Sequence, residues 1–322
     1  MKILIAYDGS SYADAAVDDL RRAGLPSEAE ALVISVADVW SWPAPDKDTW
    51  PSSAEERDIF GLRKAQEESA QAIEEARQLV AQATARVQAA FPSWHVEAEG
   101  YGDSPAWAVI KQASERGADL IVVGTQGRSA LDRFMLGSVS QKVLYEARCS
   151  VRVARRSTRR DDSTPRLILG MDGSPDAEAA LNAVAARDWP RGTEVRVIAA
   201  HSPLAPLAFS HFIQPIALAG REYIADRSLF AQKVVEASAE RLRQAGLIAS
   251  SLVKEGSPKQ VLIDEAERWG ADCIFVGARG LRRLERFLLG SVSSSVAAGA
   301  SCSVEVVRSP EAASASSDRE AN

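Results

Sequence analysis

The chain repeats itself. Gly124 and Gly277, Gly127 and Gly280, Gly137 and Gly290, and Cys149 and Cys302 all stand 153 residues apart. The blocks around them match as well: Phe134-Met-Leu-Gly-Ser-Val-Ser140 returns as Phe287-Leu-Leu-Gly-Ser-Val-Ser293. Cys149-Ser-Val-Arg-Val returns as Cys302-Ser-Val-Glu-Val. Nearer the start, Asp8-Gly9-Ser10 returns as Asp172-Gly173-Ser174, now 164 residues on, so the first copy is 11 residues longer in its middle. Matched blocks in one order mean a tandem duplication, and a duplication binds the fold: whatever one half adopts, the other adopts too. A length of 322 residues suits two such units at roughly 150 residues each.

Within the first copy, Lys2–Tyr7, Ala31–Val36, Trp94–Gly100, Asp119–Val123 and Ser150–Ala154 are short apolar runs suited to buried strands. Between them lie stretches of helical spacing over Asp14–Ala23, Glu55–Ala90, the segment opened by Ser104-Pro105, and Ser138–Ala147. The second copy predicts strands at Arg166–Met171, Glu194–Ala200, Ile248–Lys254, Asp272–Val276 and Ser303–Val307. Strict β-α alternation with continuous apolar strands implies an α/β fold, a parallel sheet covered on both faces. The expected organisation is a first domain over 1–154, a linker over 155–165, a second domain over 166–308 and a disordered tail over 309–322. The linker, polar and ending in Pro165, is expected to be exposed.

In such sheets a ligand binds at the carboxyl ends of the strands, beside the point where the winding reverses. Asp8 and Gly124 sit at those ends in the first copy, Asp172 and Gly277 in the second. The spacing Gly124-x2-Gly127-x9-Gly137-Ser138 recurs as Gly277-x2-Gly280-x9-Gly290-Ser291, each following a strand and opening a helix. Glycines let backbone amides approach a polyphosphate, and a helix start supplies unpaired donors and a positive dipole end. A tight turn with a serine cap is the plain alternative for one loop, and the recurrence argues against it for two. No Lys precedes Ser138 or Ser291, so this is not a Walker A loop. Arg128 and Arg282 are the nearest substitutes, with solvated arginines as the rival reading.

The Asp after the first strand, the G-x2-G-x9-G-[ST] loop and the Ser-Val-Ser that follows resemble the universal stress protein family in its ATP-binding branch, across both halves. That resemblance implies two doubly wound five-stranded parallel sheets of strand order 3-2-1-4-5, each with an adenine nucleotide at the switch point. It further implies that Gly124, Gly127, Gly137, Ser138, Val139 and Ser140 hold phosphates and ribose, and that Val36 offers backbone contacts to adenine. Asp8 would sit by the nucleotide or its Mg²⁺. In the second copy the corresponding positions are Asp172, Ala200, Gly277, Gly280, Gly290, Ser291, Val292 and Ser293. Both copies have Cys-Ser, at Cys149-Ser150 and Cys302-Ser303, where family members usually have Cys-Pro or Ala-Pro before the strand through which they pair. An internal pseudo-dimer of the two copies is the expected arrangement, with pairing of whole chains left open. Between the second and third glycines the copies diverge: Arg128, Asp132 and Arg133 stand against Leu281, Arg282, Arg283, Glu285 and Arg286.

Other classes find less support. Lys and Arg total 38 against 44 Asp and Glu, a net charge of −6, which gives no long-range attraction to nucleic acid. No apolar run is long enough for a signal peptide or a membrane span, and three Cys make no disulfide scaffold, so a cytoplasmic protein is expected. His95, His201 and His211 do not recur between copies, which argues against a histidine-based catalytic or metal site. Cys149, Cys273 and Cys302 abut apolar strands and fit small core residues. Two insertions, one carrying Trp40, Trp42 and Trp50 and the other spanning His201–Ala219 with its prolines, lie where they would lid the pocket or meet a partner, or simply pack on their own domain. The leading expectation is therefore an ATP-loaded stress regulator or sensor without efficient turnover. A slow ATPase or a nucleotidyl- or phosphotransferase, and a nucleotide-free interaction or chaperone-like module, are the alternatives.

Overall fold

The computed structural model describes residues 1–39, 62–127, 136–157, 159, 163–201, 214–280 and 289–309. In the first copy the order is β1 (Lys2–Ala6), α1 (Ser11–Asp19), β2 (Glu30–Asp38), α2 (Leu62–Ala90), β3 (His95–Asp103), α3 (Pro105–Arg116), β4 (Leu120–Gly124), α4 (Ser138–Glu146) and β5 (Ser150–Ala154). The second copy runs β6 (Arg166–Gly170), α5 (Pro175–Ala185), β7 (Glu194–His201), α6 (Gln214–Gln244), β8 (Ile248–Glu255), α7 (Pro258–Trp269), β9 (Cys273–Gly277), α8 (Ser291–Gly299) and β10 (Ser303–Val307). Trp40, Trp42, Trp50, His211, Arg128 and the divergent residues between the second and third glycines lie outside the described residues.

The ten strands form one sheet of order β3-β2-β1-β4-β5-β10-β9-β6-β7-β8. Each half carries the expected 3-2-1-4-5 order, and the two are joined where β5 meets β10 antiparallel; every other pairing is parallel. The internal pseudo-dimer is thus a continuous sheet with a pseudo-two-fold axis between its two central strands.

The faces of that sheet differ. On one, Val151 and Val153 of β5 and Val304 and Val306 of β10 join Ile121, Ile274, Leu144 and Val296 in a single apolar core shared by both halves. On the other, each half keeps its own core, Ile5, Val17 and Val87 in the first and Leu169, Leu181 and Leu242 in the second. Side chains alternate along a strand, so the residues between the shared valines point to this second face. They are Arg152 and Glu305, the same position in the two copies, directly opposed across the axis and fully buried. Arg152 Nη1 lies 3.1 Å from Glu305 Oε2 and its Nε donates to Asp19 Oδ2 at 2.6 Å, while Arg187 completes the cluster on Glu305. Burial alone would lower the Arg152 guanidinium, but Asp19, Cys273 and Glu305 outweigh it and hold it well above its ordinary value.

Two expectations need correction. Among its described residues the linker is only in part an exposed tether: Arg156 and Thr164 are exposed, while Arg155, Ser157 and Arg159 are not. Arg155 sends its guanidinium to the carbonyls of Ala297 and Cys302, and Ser157 and Arg159 both bond Asp272. Cationic side chains meeting a buried carboxylate hold this stretch against the sheet, which polar composition alone could not reveal. The proline-bearing loop expected over His201–Ala219 is also too long: α6 already begins at Gln214, and Pro215 sits in its first turn, where a missing N–H costs nothing.

Candidate functional site

Each copy builds the same turn at the end of its first strand. Ser10 N donates to Asp8 Oδ1 at 3.0 Å, and Ser10 Oγ then accepts from Ala13 N at 3.1 Å to cap α1. In the second copy Ser174 N donates to Asp172 Oδ1 at 2.9 Å and Ser174 Oγ accepts from Ala177 N at 3.2 Å. The serines cap the helices, so each aspartate fixes the turn with one oxygen and turns the other toward the glycine loop.

That second oxygen explains a glycine. A Cβ at Gly127 would stand 2.9 Å from Asp8 Oδ2, and one at Gly280 would stand 2.8 Å from Asp172 Oδ2. The first glycine of each loop has a different reason. A Cβ at Gly124 would meet the Tyr12 backbone at 2.9 Å, and one at Gly277 the Asp176 and Ala177 backbone at 2.5 Å. Strand end, helix start and carboxylate therefore close together only because two Cβ atoms are missing at each loop.

Around this turn in the first copy lies a cavity of about 350 Å³. Asp8, Val36, Gly124, Gly127, Gly137, Ser138, Val139 and Ser140 all line it, eight of the nine first-copy residues expected there. Arg128 is the ninth and falls outside the described residues. Val36 reaches the cavity because β1 pairs with β2 only as far as Ala6 and Ile34, leaving the β1-facing edge of Val36 beyond that ladder. Ala200 stands in the same relation to β6, whose last partner on β7 is Ile198. Neither α4 nor α8 has a side chain capping its start; Gly137 and Gly290 occupy the cap positions, so first-turn amides remain for a ligand.

Two expected donors have other work. Ser140 Oγ donates to Gly124 O at 2.6 Å, and Ser293 Oγ to Gly277 O at 2.6 Å. Their hydroxyl protons tie each helix to its strand, so in this arrangement they are not available to a phosphate. Ser138 does not cap α4 with its side chain.

Several lining residues escaped the sequence reading: Tyr7, Asp38, Pro105, Val109 and Gln126. Tyr7 Oη donates to Asp14 Oδ1 at 2.7 Å, and burial, reinforced by Asp14, pushes its pKa up, so it stays a neutral phenol. Gln126 was within reach, since it lies between two recurring glycines and faces Arg279 in the alignment of the copies. In the second copy Arg279 pairs with Asp176, Nε to Oδ2 at 2.8 Å, so the two loops carry different chemistry. Among the described residues lining the first cavity there is no Lys or Arg, while Asp8 and Asp38 bring two carboxylates. A polyphosphate there would rest on backbone amides, and a divalent cation beside Asp8 would offset the acidic charge. Among the described residues no three His, Cys, Asp or Glu side chains converge as a metal-holding group of their own.

Cys273 and Cys302 are buried, and Cys149 is partly buried against the shared core. Burial pushes the Cys149 thiol to about 11 and the Cys302 thiol to about 12, and raises Cys273 further. Among the described residues no helix is long and apolar enough to cross a membrane.

The family model described as the universal stress protein family matches residues 1–155 and 164–308. A universal stress protein of Mycolicibacterium smegmatis is 29% identical over 309 residues, covering 95% of this chain and 96% of that one. The Mycobacterium tuberculosis universal stress protein Rv2005c is 28% identical over 321 residues with the same coverage. Among solved structures, a universal stress protein from Archaeoglobus fulgidus superposes with a TM-score of 0.58 at 19% identity, over 95% of this chain and 98% of that one.

Proposed function

The chain belongs to the universal stress protein family through both of its halves, and from that premise we propose that it is a nucleotide-loaded regulator that binds ATP, with Mg²⁺, at the switch point of each copy. The observation that carries this reading is the first-copy cavity. An acidic turn, a glycine loop and an uncapped helix start converge on one space of about 350 Å³, open to the edge of β2. Backbone amides of Ser138, Val139 and Ser140 would hold the phosphates, Gly127 leaves room for them beside Asp8, and the Val36 backbone would meet adenine. Asp8 and Asp172 would hold the cation. The second copy repeats the frame with Asp172, Ala200, Gly277, Gly280, Gly290, Ser291, Val292 and Ser293, but Arg279 in place of Gln126 would set a different affinity.

A bound nucleotide would supply negative charge opposite the first-turn amides of α4 and α8, and the residues of the chain would do the positioning. Among the described cavity residues Tyr7 is held as a phenol, and Asp8 accepts from Ser10 N with one oxygen, so the reading assigns Asp8 to the turn and the cation and not to proton transfer. The regulatory output is therefore stabilisation by ligand, worth about 2.7 kcal/mol per site at a ligand concentration of 100 Kd. The test is the nucleotide content of protein purified without added ligand. ATP approaching two per chain supports the reading. Absence of nucleotide, together with no ATP-dependent thermal shift in the parent and none lost in Gly127→Val/Gly280→Val, overturns it in favour of a nucleotide-free module.

A further inference from the structure

The two helices that open at the glycine loops are incomplete at both ends. Each of α4 and α8 spans nine residues, about 13 Å, and the start of α4 lines the first-copy cavity. At its other end a helix leaves its last carbonyls without intrahelical partners. Ala147 N takes the Val143 carbonyl and Ala300 N takes the Val296 carbonyl. Both helices end at these alanines in extended conformation, and neither has a basic residue in its last turn.

The cations for these ends come from the opposite copy. Arg308, which follows β10, donates from Nη2 to Leu144 O at 2.6 Å and from Nη1 to Cys149 O at 3.1 Å. Arg155, its counterpart after β5, donates from Nη2 to Ala297 O at 2.7 Å and from Nη1 to Cys302 O at 3.3 Å. The crossing follows from the antiparallel junction: β5 and β10 run against each other, so each strand ends beside the start of the other. The backbone is fastened at the same places. Arg308 N donates to Ser150 Oγ at 3.3 Å, and Arg155 N donates to Ser303 Oγ at 2.9 Å. The recurring Cys-Ser pair of each copy thus offers one carbonyl and one hydroxyl to the arginine of the other. Burial brings both guanidinium groups down to about 10, which leaves both cationic at neutral pH. A cation on those carbonyls completes the helix end and favours its dipole.

Resting on the nucleotide reading of the two switch points, we propose that Arg155 and Arg308 are crossed positioning residues: each fixes the helix that opens at the other copy's glycine loop, and so sets the affinity of the other copy's nucleotide site. Ser140 Oγ on Gly124 O and Ser293 Oγ on Gly277 O pin each helix to its own strand near its start. The arginines pin the far end, and two fixed points define the axis of a short, stiff helix. With the second point lost, the helix can tilt about its serine. Tilting displaces the first-turn amides, which a phosphate has to meet together. The first-copy site is therefore completed by a residue at the end of the second copy, and the second-copy site by a residue at the end of the first. Neither copy holds both ends of its own helix.

The experiment uses the full chain with one site disabled at a time and ATP binding read by calorimetry. In Gly280→Val, which leaves the first-copy site, Arg308→Met is expected to weaken ATP binding about tenfold and Arg155→Met to change it by less than about twofold. In Gly127→Val, which leaves the second-copy site, the two substitutions are expected to exchange roles. Arg308→Lys and Arg155→Lys keep the charge and one carbonyl contact, and are expected to show the same crossed pattern at about threefold. They decide the matter where a methionine variant fails to fold. Equal losses at both sites, as from general destabilisation, a loss confined to the arginine's own copy, or no loss at either site overturns the proposal. Amide hydrogen exchange without nucleotide reads the helices directly. Arg308→Met is expected to speed exchange across α4 about tenfold and leave α8 unchanged, with Arg155→Met the reverse. A parent chain that binds no ATP overturns the nucleotide reading and with it the effect on affinity. Exchange then decides the positioning role: a crossed pattern supports it, and an uncrossed or unchanged one overturns it.

Discussion

At position 127 the limit on side-chain size is set by an oxygen. Asp8 Oδ2 sits where a Cβ would project, but it is the tip of a side chain and can swing away, whereas the Tyr12 backbone behind Gly124 cannot. Gly127→Ala is thus expected to cost modest folding stability while displacing the Asp8 carboxylate and reducing the ATP-dependent thermal shift. Gly277→Ala drives its methyl into the Asp176 and Ala177 backbone and is expected to cost more, at or above the roughly 1–3 kcal/mol of an overpacked site. Urea titrations of Gly277→Ala and Gly280→Ala would rank the two; equal costs would show that the carboxylate is as rigid as the backbone. The thiols make a second residue-level test. Because folding raises Cys149 to about 11 and Cys302 to about 12 from an ordinary value of 9.0, the folded state favours the neutral thiol. Their contribution is fully present below pH 9 and is lost as pH climbs through 11 and 12. Melting temperature measured from pH 8 to pH 11 should fall, and by less in Cys149→Ala/Cys302→Ala. Thiol reagents at pH 8 should label the native protein slowly and the denatured protein at all three positions.

Among the elements, four helix starts divide into two kinds. Those of α1 and α5 are capped by Ser10 and Ser174, while those of α4 and α8 begin at glycine without a side-chain cap. Ser10→Ala and Ser174→Ala should each lower stability by about 1 kcal/mol in chemical denaturation. Ser138→Ala should leave stability unchanged and show any effect only in nucleotide affinity; a stability loss there like that of Ser10→Ala would mean that Ser138 caps α4 after all. The strands and these helices were legible in the sequence because buried parallel strands are continuous apolar runs and because each signal occurred twice. The glycines were legible as well, though for another reason than the one they serve: a sequence shows that a Cβ is missing, and only the fold shows that a carboxylate or a helix backbone takes its place. Ser140 and Ser293 could not be separated from the other loop hydroxyls, since the carbonyls that bind their protons lie 16 residues back along the chain. Tyr7, Pro105 and Val109 entered the cavity through strand register and helix direction, neither of which leaves a local mark. The docked path of Arg155, Ser157 and Arg159 was hidden for the same reason, because its carboxylate partner Asp272 is more than a hundred residues away.

For the whole molecule, the duplication has been differentiated where the copies meet. Identical copies would set like against like on the axis; here Arg152 opposes Glu305, with Asp19 and Arg187 completing a buried four-residue cluster. Arg152→Met leaves Asp19 and Glu305 buried without their shared cation and should cost about 3–5 kcal/mol, far more than removing an exposed pair such as Lys64 and Glu68. The opposite face carries the apolar side of the same junction, where Val151, Val153, Val304 and Val306 belong to one core with residues from both halves. Neither half can expose that face without uncovering apolar surface of the other, so they should unfold together. Differential scanning calorimetry of the full chain should give one transition whose calorimetric and van't Hoff enthalpies agree. If each copy binds nucleotide, ligand at either site must then raise that same transition, and Gly127→Val should halve the ATP-induced shift without splitting the peak. Two resolved peaks, with ATP moving only one in the Gly127→Val variant, would mean that the copies fold independently and that the common core and the charged cluster do not couple the two sites.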